Sequence, residues 1–210
     1  SDPYEYLLRA LGKDRKLDLS KLNLGNRGAN PEEYPYDIGR LKNVLTRVAT
    51  NSKWSRRPHL PDGKGLGIAC CRSFLGYTGH VVEVTVSPAG DLSVDDVWVS
   101  IDAGTIVSPD RVLAQVEGAT IMGISQALYG EMPMKKGRAL HSNFDGFRVA
   151  KMSDSPNSIN IDIVESLAAP GGVGETGIGS FAPALCNAIF SATGKRIRDL
   201  PIQNHDLSHG

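Results

Sequence analysis

A glycine-rich segment near the end of the chain constrains the fold more than any other feature. Five of the 23 glycines lie within residues 171–179, which read Gly-Gly-Val-Gly-Glu-Thr-Gly-Ile-Gly. Because glycine has no side chain, the backbone of such a segment can approach a ligand or another segment closely. The Gly-Lys-Ser/Thr of a phosphate-binding loop is absent, and the spacing does not fit a dinucleotide fingerprint. The segment therefore predicts a loop whose backbone makes the contacts, and nucleotide binding by this loop is the weakest alternative.

Two polar side chains are candidates for chemistry. Glu175 is a lone carboxylate among small residues, which leave it accessible to whatever docks against the loop. A carboxylate in a desolvated position suits general-base catalysis, and the alternative is a solvated glutamate in a turn. Gln115 is equally ambiguous, because it is either a polar residue on a helix surface or an amide directed at a ligand. Neither residue identifies an activity by itself.

Apolar periodicity predicts four helices, at residues 3–12, 38–54, 108–129 and 183–194. In the third helix, Ser108 is expected to cap the free backbone N–H groups and Pro109 to occupy the first turn. The second half of this helix, from Ala119 to Ile124, is apolar on most sides. We therefore expect a part of the protein outside this chain to cover that half, so that the isolated chain folds only partly or associates.

Alternating apolar residues predict four strands, at residues 65–70, 82–86, 92–101 and 159–163. A turn at Ser87–Asp91 joins the second strand to the third as an antiparallel pair, and a change of phase in the third indicates a bulge at Asp95–Asp96. These patterns predict an α+β fold in which antiparallel strands pack with the helices that begin at Ser108 and after Pro183.

The chain changes character near residue 63. Residues 1–62 are interpreted as a helical lead-in, with a loop at 25–31 and a linker at 56–63 that is rich in proline and glycine. Residues 63–202 form the α+β module. The polar tail at 203–210 is expected to be frayed.

The composition excludes several classes of function. The 23 lysines and arginines balance the 23 aspartates and glutamates, so no net charge attracts nucleic acid or an anionic membrane. No apolar run reaches the roughly 18 residues of a membrane span. The three cysteines and five histidines do not form a metal-ligand pattern, so we assign no metal ligand within the chain. Small neutral substrates or protein partners are expected instead.

Several motifs together resemble the molybdenum hydroxylase family, to which xanthine dehydrogenases and aldehyde oxidases belong. The matching segments, in order, are Asp102–Asp110, Gln115–Ala119, Gly172–Glu175, Phe181–Ile189 and Gly194–Arg198. The similarity spans roughly residues 3–202 and looks closest to the isoquinoline oxidoreductase-like large subunits of bacteria. The resemblance implies that the chain is the C-terminal part of a molybdopterin-binding large subunit, which agrees with the absence of an initiator methionine.

The resemblance also implies site residues. It makes Glu175 the catalytic base beside molybdenum, and it makes Gln115 a cofactor contact together with Gly172, Val173 and Gly174. The family hydroxylates an aldehyde or an N-heteroaromatic substrate with oxygen from water and passes electrons to iron–sulfur clusters.

The cofactor implied by the resemblance is a molybdopterin-type molybdenum cofactor in its cytosine dinucleotide form. It would be shared with the N-terminal part of the molybdenum subunit, and the iron–sulfur clusters would lie in a small partner subunit. Family members of this type are commonly periplasmic, and the cytoplasm is the alternative compartment.

Three positions depart from the family pattern. The family usually has cysteine or a similar small residue at Ala103, asparagine at Ser108 and often proline at Thr176. The first two are expected to affect packing, whereas the third could alter the loop that holds Glu175. The family's Gly-Gln-Gly cofactor loop is also absent from this sequence, so we do not expect the chain alone to form a complete site. The alternative to an enzyme is a non-catalytic interaction module that has lost cofactor binding, but retention of Glu175 favours the enzyme.

Overall fold

The computed structural model describes residues 2–19, 26 and 28–209, which form helices, strands and three 3-10 helices. The elements in chain order are α1 (Pro3–Leu11), β1 (Lys16–Leu17), β2 (Tyr36–Asp37), α2 (Ile38–Asn51), β3 (Lys64–Ser73), β4 (Gly76–Val86), β5 (Leu92–Asp102), α3 (Pro109–Tyr129), β6 (Met134–Lys135), β7 (Arg138–Ala139), β8 (Ser158–Ile163) and α4 (Phe181–Thr193). The predicted α+β fold is confirmed. Of the predicted loop at residues 25–31, Gly25 and Arg27 lie outside the described residues.

The central sheet has four strands in the order β3-β4-β5-β8. β3, β4 and β5 are antiparallel neighbours, as predicted, whereas β8 pairs with β5 in parallel. The parallel pair arises because the chain leaves β5, passes through α3 and returns to the same sheet, which is a crossover connection. The predicted bulge is confirmed: Glu83 pairs with Asp96 and Val84 with Val94, so that Asp95 is the extra residue.

Helices α3 and α4 cover one face of the sheet. Their buried side chains form one apolar cluster with β4 and β5, including Val82, Val84, Val97, Val99, Ile101, Val116, Ile124, Phe181, Leu185 and Ile189. Gly123 lies against the ring of Phe181 in α4, so the two helices approach closely. We expected a part of the protein outside this chain to cover residues 119–124. That expectation is wrong for Ala119, Gly123 and Ile124, because α4 and the loop before it help to bury them. Met122, in contrast, is exposed.

Helix α2 packs on the opposite face. Its residues Leu45 and Val48 form a second apolar cluster with Leu66, Ile68 and Val81 of the sheet. Trp54 belongs to the same cluster and begins a 3-10 helix, Trp54–His59. The first part of the predicted linker is therefore helical, because the packing of Trp54 and an ion pair between Arg56 and Glu83 hold it on the sheet.

Two local predictions are wrong. Ser108 precedes α3, but its hydroxyl makes no capping hydrogen bond, because its backbone (φ −132°, ψ 89°) lies outside the extended geometry that the aspartate caps of α1 and α2 adopt. The tail is not frayed over its described residues. Leu207 is buried, and the backbone N–H of His209 donates to the carbonyl of Pro88, so the tail packs on the turn between β4 and β5.

Some features bear on membranes and metals. No helix among the described residues combines the length and hydrophobicity needed to cross a bilayer, and these residues contain no cluster of three or more metal-binding side chains.

Cys70 packs with the cluster below α2, whereas the Cys71 thiol contacts Thr78 near the loop before α4. The two neighbouring cysteines therefore point to opposite faces of the sheet. Burial raises the pKa of the Cys70 thiol to about 12, which disfavours a reactive thiolate.

Candidate functional site

The start of the glycine-rich segment is fixed by the edge of the sheet. The backbone N–H of Gly171 donates to the carbonyl of Ala103 (2.7 Å), just after β5. The N–H of Gly172 donates to the carbonyl of Phe74 (2.8 Å), in the turn between β3 and β4. A Cβ atom on Gly171 would lie 3.0 Å from the backbone of Leu75. Small residues are therefore required here because the loop lies directly on another backbone segment.

Thr176 closes the loop. Its hydroxyl donates to the carbonyl of Gly172 (2.6 Å), and its side chain is fully buried. Between these two anchors lie Val173, which is half-buried against the apolar core, and the exposed residues Gly174 and Glu175. We call residues 173–175 the loop tip. The family often has proline at this position, and Thr176 thus supplies a hydrogen bond that proline could not make.

Gln115 connects the loop tip to α3. Its Nε2 group donates to the carbonyl of Gly174 (2.8 Å). Its Oε1 atom has no hydrogen-bond partner among the described residues, so one acceptor of the amide is free. Gln115 is therefore more than a solvated polar residue of the helix, because it holds the tip of the candidate loop.

The carboxylate of Glu175 lies at the end of the tip and is exposed. No hydrogen bond or ion pair within the described part of the chain occupies it. A Cβ atom added to the neighbouring Gly174 would meet no atom within 4 Å. The tip therefore presents a free proton acceptor and bare backbone to the space outside this chain.

A concave surface of about 570 Å³ lies beside the loop tip. It is lined by Ser108, Arg111, Val112, Ala114, Gln115, Val173 and Gly174. These residues offer an amide, a guanidinium at the first turn of α3 and open backbone. Such donors suit a ligand with a hydrogen-bonding ring and an anionic phosphate, so the surface fits a pterin-type cofactor.

The structure brings all five predicted site residues together. Gly172, Val173, Gly174 and Glu175 form the closed loop, and Gln115 contacts it from α3. Their catalytic and cofactor-binding roles stay predictions.

Sequence reasoning missed three buried polar residues beneath the loop. Thr78, His80 and Ser180 are connected to the loop by hydrogen bonds. Burial lowers the pKa of His80 to about 3, so its imidazole is neutral. No local motif marks these residues, because their contacts join positions about 100 apart in sequence.

A large part of this fold occurs in a solved oxidoreductase. The aldehyde oxidoreductase from Desulfovibrio gigas superposes with a TM-score of 0.53 and 29% identity, over 60% of this chain and 14% of that one.

Sequence comparison agrees with the structural one. The isoquinoline 1-oxidoreductase subunit beta of Brevundimonas diminuta is 36% identical over 76% of this chain and 21% of its own length. The molybdenum-binding subunit of the Escherichia coli aldehyde oxidoreductase is 34% identical over 83% of this chain and 25% of its own length. This chain thus spans about a quarter or less of these curated relatives.

A family model described as the molybdopterin cofactor-binding domain matches residues 44–156, which are more than half of the chain. The chain therefore belongs to the molybdopterin cofactor-binding domain family. The predicted resemblance to the molybdenum hydroxylases is confirmed.

Proposed function

We propose that this chain contributes part of the active site of a molybdenum-dependent oxidoreductase, which hydroxylates an aldehyde or an N-heteroaromatic substrate with oxygen from water. The observation that carries the proposal is the loop tip: a free carboxylate, Glu175, projects between two anchored residues, Gly172 and Thr176. The names of the curated relatives support the substrate class, since they include an isoquinoline oxidoreductase and an aldehyde oxidoreductase.

A molybdopterin-type cofactor fits beside this loop. The Gln115 amide and the backbone of Gly172, Val173 and Gly174 would hold it, because these groups line or border the concave surface and Gly174 leaves its position open. When bound, the molybdenum cofactor supplies the two-electron oxidation of the substrate. The cytosine dinucleotide form is part of the proposal.

Glu175 acts as the general base in this proposal. Its carboxylate oxygens accept the proton of the water-derived hydroxyl that is transferred to the substrate. The hydrogen bonds from Gln115 to Gly174 and from Thr176 to Gly172 fix the backbone on both sides of this carboxylate. A base held in this way loses less conformational freedom when the reacting groups meet.

The complete site requires further protein. We propose that the N-terminal part of the molybdenum subunit supplies the rest of the cofactor and substrate pocket, and that a small iron–sulfur subunit accepts the electrons. The proposal is supported by the share of the relatives that this chain covers, about a quarter or less, and by their description as subunits.

The direct test uses the complete protein purified with its partners. We expect molybdenum close to one atom per large subunit, and conversion of an aldehyde or an N-heteroaromatic compound in ¹⁸O-labelled water should give an ¹⁸O-labelled product. A complete protein without molybdenum and without turnover would support the alternative, a non-catalytic interaction module. Label from O₂ rather than from water would contradict the proposed reaction.

A further inference from the structure

A chain of buried polar groups lies directly beneath the loop that carries Glu175. Thr78 and His80 are on β4, two residues apart, and face α4. Ser180 is the residue before α4 and completes the chain. All three are at most 1% exposed. A buried polar group costs free energy unless it is hydrogen-bonded, so the partners of these groups indicate why they are present.

The contacts run in one line to the loop. Nδ1 of His80 lies 2.7 Å from Oγ of Ser180, which lies 3.1 Å from Oγ1 of Thr78. The Thr78 hydroxyl donates to the backbone carbonyl of Thr176 at 3.0 Å. Thr176 follows Glu175 directly, and its own hydroxyl closes the loop on Gly172. The line of contacts therefore ends one peptide from the proposed base.

Proton counting gives this line a direction. The only hydroxyl proton of Thr78 goes to the Thr176 carbonyl, so the Ser180 hydroxyl must donate to Thr78. Ser180 then has no proton left for His80, so Nδ1 of His80 must carry one and donate to Ser180. The Cys71 thiol, 3.4 Å from Thr78 Oγ1, can only be a further donor.

The state of His80 agrees with this direction. A neutral imidazole has one N–H group, and placing it on Nδ1 leaves Nε2 as an acceptor. Nε2 is buried and has no partner among the described residues. An unpaired buried acceptor is less unfavourable than an unpaired buried N–H group, so the Nδ1–H form satisfies more of the contacts. The ring is fixed further by an edge-to-face contact with Phe181, at 6.0 Å between centroids.

We infer that His80, Ser180 and Thr78 form a directed hydrogen-bond chain that positions the loop tip by holding the carbonyl of Thr176. They are positioning residues, because none of them reaches the exposed surface where Glu175 lies. The consequence for turnover rests on the proposed function of Glu175. The effect on the loop itself does not.

The test compares variants of the complete protein by hydrogen–deuterium exchange of peptides that cover residues 171–179. Thr78→Val keeps the size and shape of the side chain and removes the hydroxyl. Thr78→Ser keeps the hydroxyl. Thr120→Val is a matched control, because Thr120 is equally buried and its hydroxyl donates at 2.9 Å to a carbonyl of its own helix, that of Val116. Peptides from β8 serve as an internal reference.

We expect Thr78→Val to raise exchange in this segment by about tenfold or more, since a stranded buried carbonyl weakens local structure. Ser180→Ala should raise it by about threefold, because the final bond from Thr78 to Thr176 remains. Thr78→Ser and Thr120→Val should stay within about twofold of the wild type. If Thr78→Val does not fold, the exchange of Ser180→Ala is compared with that of the same control, Thr120→Val.

Exchange in Thr78→Val or Ser180→Ala that matches Thr120→Val would overturn the inference. Turnover separates this failure from failure of the proposed function. With a loosened loop, kcat per bound molybdenum should fall while KM stays unchanged, and Thr78→Ser should keep the kcat of the wild type. If the loop is loosened but turnover is that of the wild type, the inferred positioning role of the hydrogen bonds stands and the proposed role of Glu175 as the base is rejected. If Thr78→Val and Ser180→Ala leave the loop unaffected but Glu175→Gln inactivates the enzyme, the positioning role is rejected and the role of Glu175 as the base stands.

Discussion

Two regions of the molecule use glycine for opposite reasons. On β3, a Cβ atom at Gly67 would lie 2.1 Å from the carbonyl oxygen of Ala184 and 2.1 Å from the nitrogen of Ala188, both in α4. Gly65 meets the backbone of the same helix one turn further on. At the loop tip, by contrast, a Cβ atom at Gly174 would meet no atom within 4 Å.

The difference separates residues needed for the fold from residues needed for the site. The β3 glycines allow the backbone of α4 to lie directly on the sheet, which brings Ser180 and the loop before α4 over β4. No packing among the described residues requires a glycine at position 174, so we expect its small size to matter for what binds from outside. Substitutions in the two regions should therefore affect stability and function differently.

The largest expected loss of stability is that of Gly67→Ala. The added methyl group would overlap backbone atoms of α4, which cannot move aside as a side chain can. Overpacking of a core costs about 1–3 kcal/mol and sometimes more, and here we expect at least about 3 kcal/mol. The melting temperature of the complete subunit measures the effect. Gly118→Ala is the control, because a Cβ there is unobstructed on α3, and it should leave the melting temperature equal or raise it. Equal stability of the two variants would remove the distinction between the regions.

The contact between β3 and α4 shows what local sequence patterns miss. The alternation of Leu66, Ile68 and Cys70 predicted the strand, and that face does pack below α2. The need for glycine on the other face of β3 could not be predicted, because these glycines contact the backbone of α4, which lies more than 100 residues later in the sequence. Patterns within one segment predicted the four helices, the four strands of the central sheet and the bulge of β5, whereas contacts between distant segments decided how these elements pack.

The candidate site divides in the same way. The resemblance to a known family led to Gln115 and Glu175, and the structure places them at one loop. The chain of Thr78, His80 and Ser180 could not be predicted, because each residue alone is an ordinary polar residue in a strand or before a helix. Only the fold shows that their hydroxyl and imidazole groups meet.

Gln115→Ala should lower stability less than Gly67→Ala does. It removes the hydrogen bond to Gly174 at the surface, so we expect the loop tip to lose about 1 kcal/mol of local stability. We expect molybdenum content to fall before the melting temperature does. Gln126→Ala, an exposed glutamine on the same helix, serves as the control. Unchanged molybdenum content and turnover in Gln115→Ala would remove Gln115 from the site.

Gly174→Ala should have a smaller effect on stability, within about 0.5 kcal/mol, as is usual for substitutions that meet no neighbours. Its effect should be on the cofactor, since the new methyl group points into space that this chain leaves open. Molybdenum content measured on folded protein tests this expectation. A large fall in melting temperature with full cofactor retention would show that Gly174 is a packing glycine like Gly67.

The central claim, that Glu175 is the proton acceptor, is tested most directly by single-turnover reduction of the complete enzyme carrying Glu175→Gln. The change is nearly isosteric, and the exposed carboxylate has no partner among the described residues, so stability and molybdenum content should be unchanged. Glu165→Gln, also exposed, controls for the loss of one charge. We expect Glu175→Gln to slow reduction by about a hundred- to ten-thousand-fold, the usual contribution of a general base, and Glu165→Gln to have no effect. A rate within about tenfold of the wild type at full molybdenum occupancy would contradict the assignment.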